Sequence, residues 1–133
     1  MANALYPSFK ALLLTGGIDL SSDTIKVALV DTGTYTYSSA HDFYDDVTGV
    51  VGTPQTLASK TTTAGVFDAA DVTYTAVSGA SVEAYIIYKD TGTPSTSPLI
   101  GYFDTASSGL PVTPNGGDIT LTFDSGASKI FAL

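Results

Sequence analysis

The chain of 133 residues has no cysteine and no arginine, and only one histidine and one glutamate. Without thiols there is no disulfide and no cysteine-based zinc or haem site, and the redox compartment is left unread. Without arginine the only bases are five scattered lysines, Lys10, Lys26, Lys60, Lys89 and Lys129, against thirteen acids, for a formal net charge of −8. A protein that grips phosphates needs clustered lysine or arginine to release counterions. Nucleic acid is therefore excluded as a partner, and an anionic membrane surface would repel the chain as well. Long apolar runs are also missing, so no segment reads as a membrane span. The start, "MANALYPSFKALLLTGG", has no basic stretch ahead of its apolar residues, and "ALLL" is short for a signal peptide. The expectation is synthesis in a cytoplasm without export by the general secretory route.

What is present is 44% apolar and 14% charged, a globular balance. Threonine, serine, glycine and aspartate supply most of the remainder, which suits short strands joined by tight turns. The length predicts one domain, residues 1–133, able to bury roughly two-thirds of its unfolded surface without a metal or a disulfide.

Leu5, Phe9, Leu12 and Leu13 recur at helical spacing, with Pro7 in the first turn and Gly16-Gly17 as a stop. They predict a short helix over about 7–14 within an N-terminal arm of about 1–16. From Thr24 the period changes to two, and Ile25, Val27 and Leu29 share one face of a strand ending at Asp31. In "SSAHDFYDDV", Ser39 and Asp42 resemble a capping box and predict a short helical turn near 40–47. Further strands are predicted at 56–63, 71–77, 82–89, 99–104, 118–124 and 129–133. "VEAYIIYK" is apolar on both faces and reads as a central strand. "TPNGGD" reads as a tight turn, and "DSGAS" as the turn of a terminal hairpin. The fold class is all-β, an antiparallel β-sandwich or jelly-roll-like arrangement with the two short helical pieces.

"DTGT" occurs twice after an apolar strand, at Asp31 and at Asp90. Asp-Thr-Gly after a strand is how an aspartic protease presents its carboxylate, and that chemistry needs two carboxylates sharing one proton. Each lobe of the two-lobed, pepsin-like design is longer than this whole chain. The dimeric viral design carries one such motif and a later apolar-apolar-Gly segment leading into a helix. "LIG" at 99–101 is followed instead by "YFDTASSG". A turn explains both copies: aspartate accepts from backbone N–H groups of its own turn, and glycine supplies positive φ. A dimeric aspartic protease stays a remote alternative.

Other chemistry is weaker still. His41 has no G-x-S-x-G partner motif and reads as a surface or helix-start residue. Asp42, Asp45 and Asp46 lack EF-hand spacing and read as a solvated acidic face. Asn115-Gly116-Gly117-Asp118 has no lysine or following helix, so it is no phosphate loop. Glu83 has no second carboxylate that the sequence places at glycosidase distance. No catalytic residue, metal ligand or cofactor is assigned. Tyr35 and Tyr37 alternate with threonine and point to one side of an extended segment. Tyrosine suits either an interface or packing over the end of a sandwich.

Whole segments carry a resemblance. "SSDTIKVALVDT", "GVFDAADVTYTAVSG", "EAYIIYKDTGT" and above all "GLPVTPNGGDITLTFDSGASKIFAL" resemble a family of small virion structural proteins of tailed bacteriophages. The resemblance runs over nearly the whole chain. It implies a non-enzymatic structural role in the particle, with no catalytic residues to carry over. A charge of −8 is disfavoured beside packaged DNA, which points to the outside of the head. The expectation is a capsid decoration, or cement, protein that binds the major capsid protein and itself, with a trimer by analogy. Leu5, Tyr6 and Phe9 of the arm, with Tyr35 and Tyr37, are the candidate partner contacts. The alternatives are a tail or tail-tip component and a carbohydrate-binding β-sandwich.

Overall fold

A computed structural model describes residues 3–104, 106, 109–127 and 129–133. The polypeptide is mostly β. Its main sheet has five strands, all paired antiparallel: β1 (Ala4–Leu5), β7 (Leu99–Phe103), β6 (Ala84–Lys89), β2 (Ile25–Val30) and β3 (Val50–Thr56), in that spatial order. Two short ribbons accompany it. One pairs β4 (Val66–Phe67) with β9 (Phe131–Ala132), and the other pairs β5 (Val72–Tyr74) with β8 (Ile119–Leu121). The sheet does not close into a barrel.

Among the described residues the one α-helix, α1, spans Pro7–Thr15. Pro7 opens it, where a missing N–H costs nothing. Gly16 closes it in the left-handed region at φ 74°, and the Gly17 N–H returns to the Leu12 carbonyl at 2.8 Å. Phe9, fully buried, is the residue that anchors α1, its ring edge-on to Phe131 at 5.9 Å. Burying a side chain of that size is worth roughly 1.5–3 kcal/mol.

Every residue of β7, and every residue of β6 except Lys89, is buried, so both faces of the sheet are covered. The register puts Leu29, Tyr85 and Phe103 on one face and Ala28, Ile86 and Tyr102 on the other. The first face packs on the ribbon side. Tyr85 meets Phe123 at 5.7 Å, and Phe103 meets Phe131 at 6.2 Å. Gly101 belongs to this face, and the Phe103 ring lies where its Cβ would stand. The opposite face is roofed by segment 31–49. Tyr35 and Tyr37 pack on Tyr102, and Tyr44 stacks on Tyr88 at 4.0 Å.

The predicted helix, the central strand and the strands at 25–30 and 99–103 are present. Three expectations are corrected. The strand expected at 56–63 lies earlier, at Val50–Thr56, and is an edge strand that contains Gly52 at φ 74° and Pro54. The helical turn near 40–47 is a 3₁₀ turn, Tyr44–Asp46. The Ser39–Asp42 box does not form; instead Asp46 Oδ2 accepts from the Asp42 N–H at 3.0 Å. The terminal hairpin is absent, because β8 pairs with β5 and β9 with β4. Asp124 does accept from the Gly126 N–H, so the turn forms, but it sends the chain from one ribbon to the other.

Candidate functional site

The two Asp-Thr-Gly turns lie at opposite ends of one strand pair. Asp31 follows β2 and Asp90 follows β6, and the strands run antiparallel with Ile25 opposite Lys89 and Val30 opposite Ala84. At about 3.4 Å per residue over seven residues, the two aspartates are about 24 Å apart along the sheet. Each is folded into its own turn in the same way. Asp31 Oδ1 accepts from the Gly33 N–H at 2.9 Å, and Asp90 Oδ1 accepts from the Gly92 N–H at 2.9 Å. Asp31 Oδ2 also accepts from the Thr34 hydroxyl at 3.3 Å. Within one chain the pair has no shared cleft and no shared proton.

Their surroundings differ. Asp90 pairs with Lys26 at 2.9 Å, and its carboxyl is held below the usual range, first by the Gly92 N–H and then by Lys26. On the Asp31 end, Glu83 Oε1 accepts from both the N–H and the hydroxyl of Thr32, each at 3.0 Å. The Ser81 hydroxyl is the largest influence holding the Glu83 carboxyl low, and Thr32 adds to it against the opposing effect of burial. The fold sets Glu83, the residue before β6, beside the turn that follows β2, where its partner is Thr32.

The five candidate contact residues divide by burial. Tyr6 and Phe9 are 0% exposed and Tyr35 is 2% exposed, so these three belong to the core and present no surface to a partner. Leu5 and Tyr37 are half-buried and do reach the surface. Tyr35 and Tyr37 face the same side, as their alternation implies, and that side is the tyrosine layer over the sheet. Tyr6 joins it from the N-terminal arm, with its ring 5.0 Å from Tyr37 and its hydroxyl 2.7 Å from that of Tyr35. The Tyr35 hydroxyl also meets His41 Nδ1 at 2.8 Å, so the lone histidine ends a chain of hydrogen bonds that starts in the core. Among the described residues, no group of three histidine, aspartate or glutamate side chains is placed to hold a metal ion.

A surface that sequence reading missed lies at the C-terminal end of α1. A groove of about 370 Å³ runs between the helix end and the β4–β9 ribbon, lined by Leu13, Ile18, Leu20, Val66, Phe67, Phe131 and Leu133. Asp19 is its one charged lining residue among those described. Among the described residues the large exposed apolar ones are Leu14 at 89% and Leu133 at 67%: Leu133 lines the groove, and Leu14 follows the lining residue Leu13 in the chain. The signal was available, because Leu14 falls outside the helical stripe made by Leu5, Phe9, Leu12 and Leu13.

No protein-family model matches the chain, and no curated protein matches its sequence. No helix among the described residues is long and apolar enough to cross a membrane.

Proposed function

We propose that this chain is a non-enzymatic structural protein of a tailed-phage virion, a decoration protein that binds the outer surface of the head and stabilises the shell. Its partners are the major capsid protein and further copies of itself, with a trimer as the assembly by analogy. The fold proposed with this reading is a sandwich. The five-stranded sheet is one layer, and the two ribbons, through Phe123 and Phe131, are the beginning of the second.

The observation that carries the reading is the apolar groove with Leu14 and Leu133 beside it. A groove lined by Ile, Leu, Val and Phe with the exposed Leu133 at its wall, and the exposed Leu14 following the lining residue Leu13 in the chain, marks a surface that gains by being covered. A subunit present in many copies needs only a modest contact at each, since weak contacts add by avidity and stabilise the assembled state by mass action. The charge of −8 favours the outer surface over one lining packaged DNA. The turn geometry at Asp31 and Asp90 supplies a structural reason for both motifs without catalysis.

The test compares heads assembled with and without the chain. Heads lacking it should lose DNA at lower temperature and at low salt, and adding back purified protein should restore them. Leu14→Ser, at an exposed position, should leave the isolated fold intact and weaken the restoration. Equal resistance with and without the protein would overturn the reading. A tail component is the nearest rival, and label confined to tails would favour it.

A further inference from the structure

The apolar groove at the C-terminal end of α1 carries negative charge as well as apolar surface. Asp19 lines it, and so does Gly16, the residue that closes the helix. The carbonyl end of a helix is partially negative, and α1 has no basic residue in its last turn to offset this. Asp19 is ionised at neutral pH, because the Ser21 hydroxyl above all holds its carboxyl down to about 2. Its Oδ1 takes both Ser21 bonds, from the hydroxyl at 2.6 Å and the N–H at 2.9 Å. An ionised carboxylate offers about four lone-pair sites, so Asp19 keeps capacity for a cation. The outer face of α1 is the complement. Pro7, Lys10, Ala11 and Leu14 are all exposed and follow the i, i+3, i+4, i+7 spacing of one helical stripe. Lys10, one turn before Leu14, makes no ion pair among the described residues, whereas Lys26, Lys60 and Lys89 are engaged with Asp90, the Asp23 carbonyl and the Asp23 carboxylate.

We propose that a second copy of this chain fills the groove, with Leu14 of one α1 entering the groove of the other and Lys10 lying against Asp19 and the carbonyl end of the helix. Each copy carries both halves of the contact on or beside the same helix, so two copies exchange them reciprocally, as a two-fold pair does. The charges select this occupant: the stripe brings one apolar anchor and one free cation to a groove with apolar walls and one anion. Two chains of charge −8 otherwise repel each other. The contact is therefore weak, and its two Lys10–Asp19 pairs fix the orientation. The inference rests on the reading of the groove as a contact surface and names what covers it. It joins copies two by two, whether or not each copy also belongs to a trimer.

The test is sedimentation equilibrium of the full chain at about 0.15 M salt, with protein up to about 1 mM to reach a weak contact. The wild type should show a reversible monomer–dimer equilibrium. Leu14→Ser, at an exposed position, should weaken it by about tenfold or more. Lys10→Glu and Asp19→Lys should each weaken it by a similar factor, because each sets like charges together. A mixture of the Lys10→Glu and Asp19→Lys chains should associate as well as the wild type, since both contacts of the mixed pair again join opposite charges. A wild type that stays monomeric, association unchanged by Leu14→Ser, or a mixture no better than its components would each overturn the inference. Should Asp19→Lys fail to fold for loss of the Ser21 bonds, Leu14→Ser and Lys10→Glu at exposed helix positions decide it. A monomeric chain that still restores heads would overturn the second copy as occupant and leave the shell reading standing. A dimer that dissociates on Leu14→Ser and restores no heads would support the pair and overturn the shell reading.

Discussion

The hydroxyls of Tyr6 and Tyr35 meet at 2.7 Å across a separation of 29 residues, both rings closed off from solvent. This bond ties the N-terminal arm to the segment that roofs the sheet. Tyr35 is the middle member, because it also reaches His41. Deleting the middle should cost more than deleting the end. Tyr6→Phe leaves Tyr35 its bond to His41 and should cost about 1 kcal/mol. Tyr35→Phe strands the Tyr6 hydroxyl in the core and should cost about 2–3 kcal/mol. Urea unfolding monitored by circular dichroism measures both, and equal costs would remove the distinction.

Gly101 is required by its neighbour. A Cβ at this position would stand 2.6 Å from Phe103 Cε2 and 3.2 Å from Leu5 Cδ2. Gly101→Ala should destabilise by about 1–3 kcal/mol, because the Phe103 ring must leave its place against Tyr85 and Phe131. Near-ultraviolet circular dichroism should change as well. An unchanged melting temperature would show that the ring moves without cost.

The strands and turns were legible to different degrees, for identifiable reasons. The runs in β2, β6 and β7 are apolar and rich in β-branched and aromatic residues, so their strand character is local. Val50–Thr56 was missed because Gly52 and Pro54 read as loop, and an edge strand tolerates both. The residues Asp124 to Gly126 specify a turn but not the hairpin expected of it. Which strand pairs with which depends on the other ribbon strands, up to 66 residues earlier, and nothing local specifies that. Alternation put Tyr35 and Tyr37 on one side, but period two is the same whether that side faces a partner or the chain's own Tyr102.

Stability should fall at both ends of the pH scale. Asp19 is lowered to about 2, chiefly by the Ser21 hydroxyl. Asp23, Asp46 and Asp90 are lowered chiefly by the N–H groups of Asp19, Asp42 and Gly92, and Glu83 chiefly by the Ser81 hydroxyl. A folded value below the unfolded one gives stability that is present above the ordinary carboxylate range and lost as pH falls through the folded values. Stability should therefore drop from about pH 4 toward pH 2. Tyr6, Tyr74, Tyr85 and Tyr88 are all raised, chiefly by burial. Here the contribution is complete below the ordinary tyrosine value and declines above about pH 10, where only the unfolded chain ionises. Tyrosinate absorbance should rise cooperatively with unfolding, and gradual ionisation of a chain that stays folded would contradict this.

The Asp-Thr-Gly turns make a prediction of their own. Asn keeps an oxygen to accept the turn N–H, so Asp31→Asn should change stability by less than about 1 kcal/mol. Asp90→Asn should cost slightly more, because it also weakens the partly exposed pair with Lys26, worth about 0–1 kcal/mol. Acid-pH peptide cleavage assays should show no activity in the wild type to lose. Cleavage abolished by Asp31→Asn would restore the protease reading.

The most direct measurement is a cryo-electron microscopy reconstruction of heads assembled without the protein and then saturated with it. The account predicts added density on the outer surface of the head, with the Leu14–Leu133 end of each subunit against the shell or a neighbouring copy. Density confined to the tail, or none on any part of the particle, would contradict it.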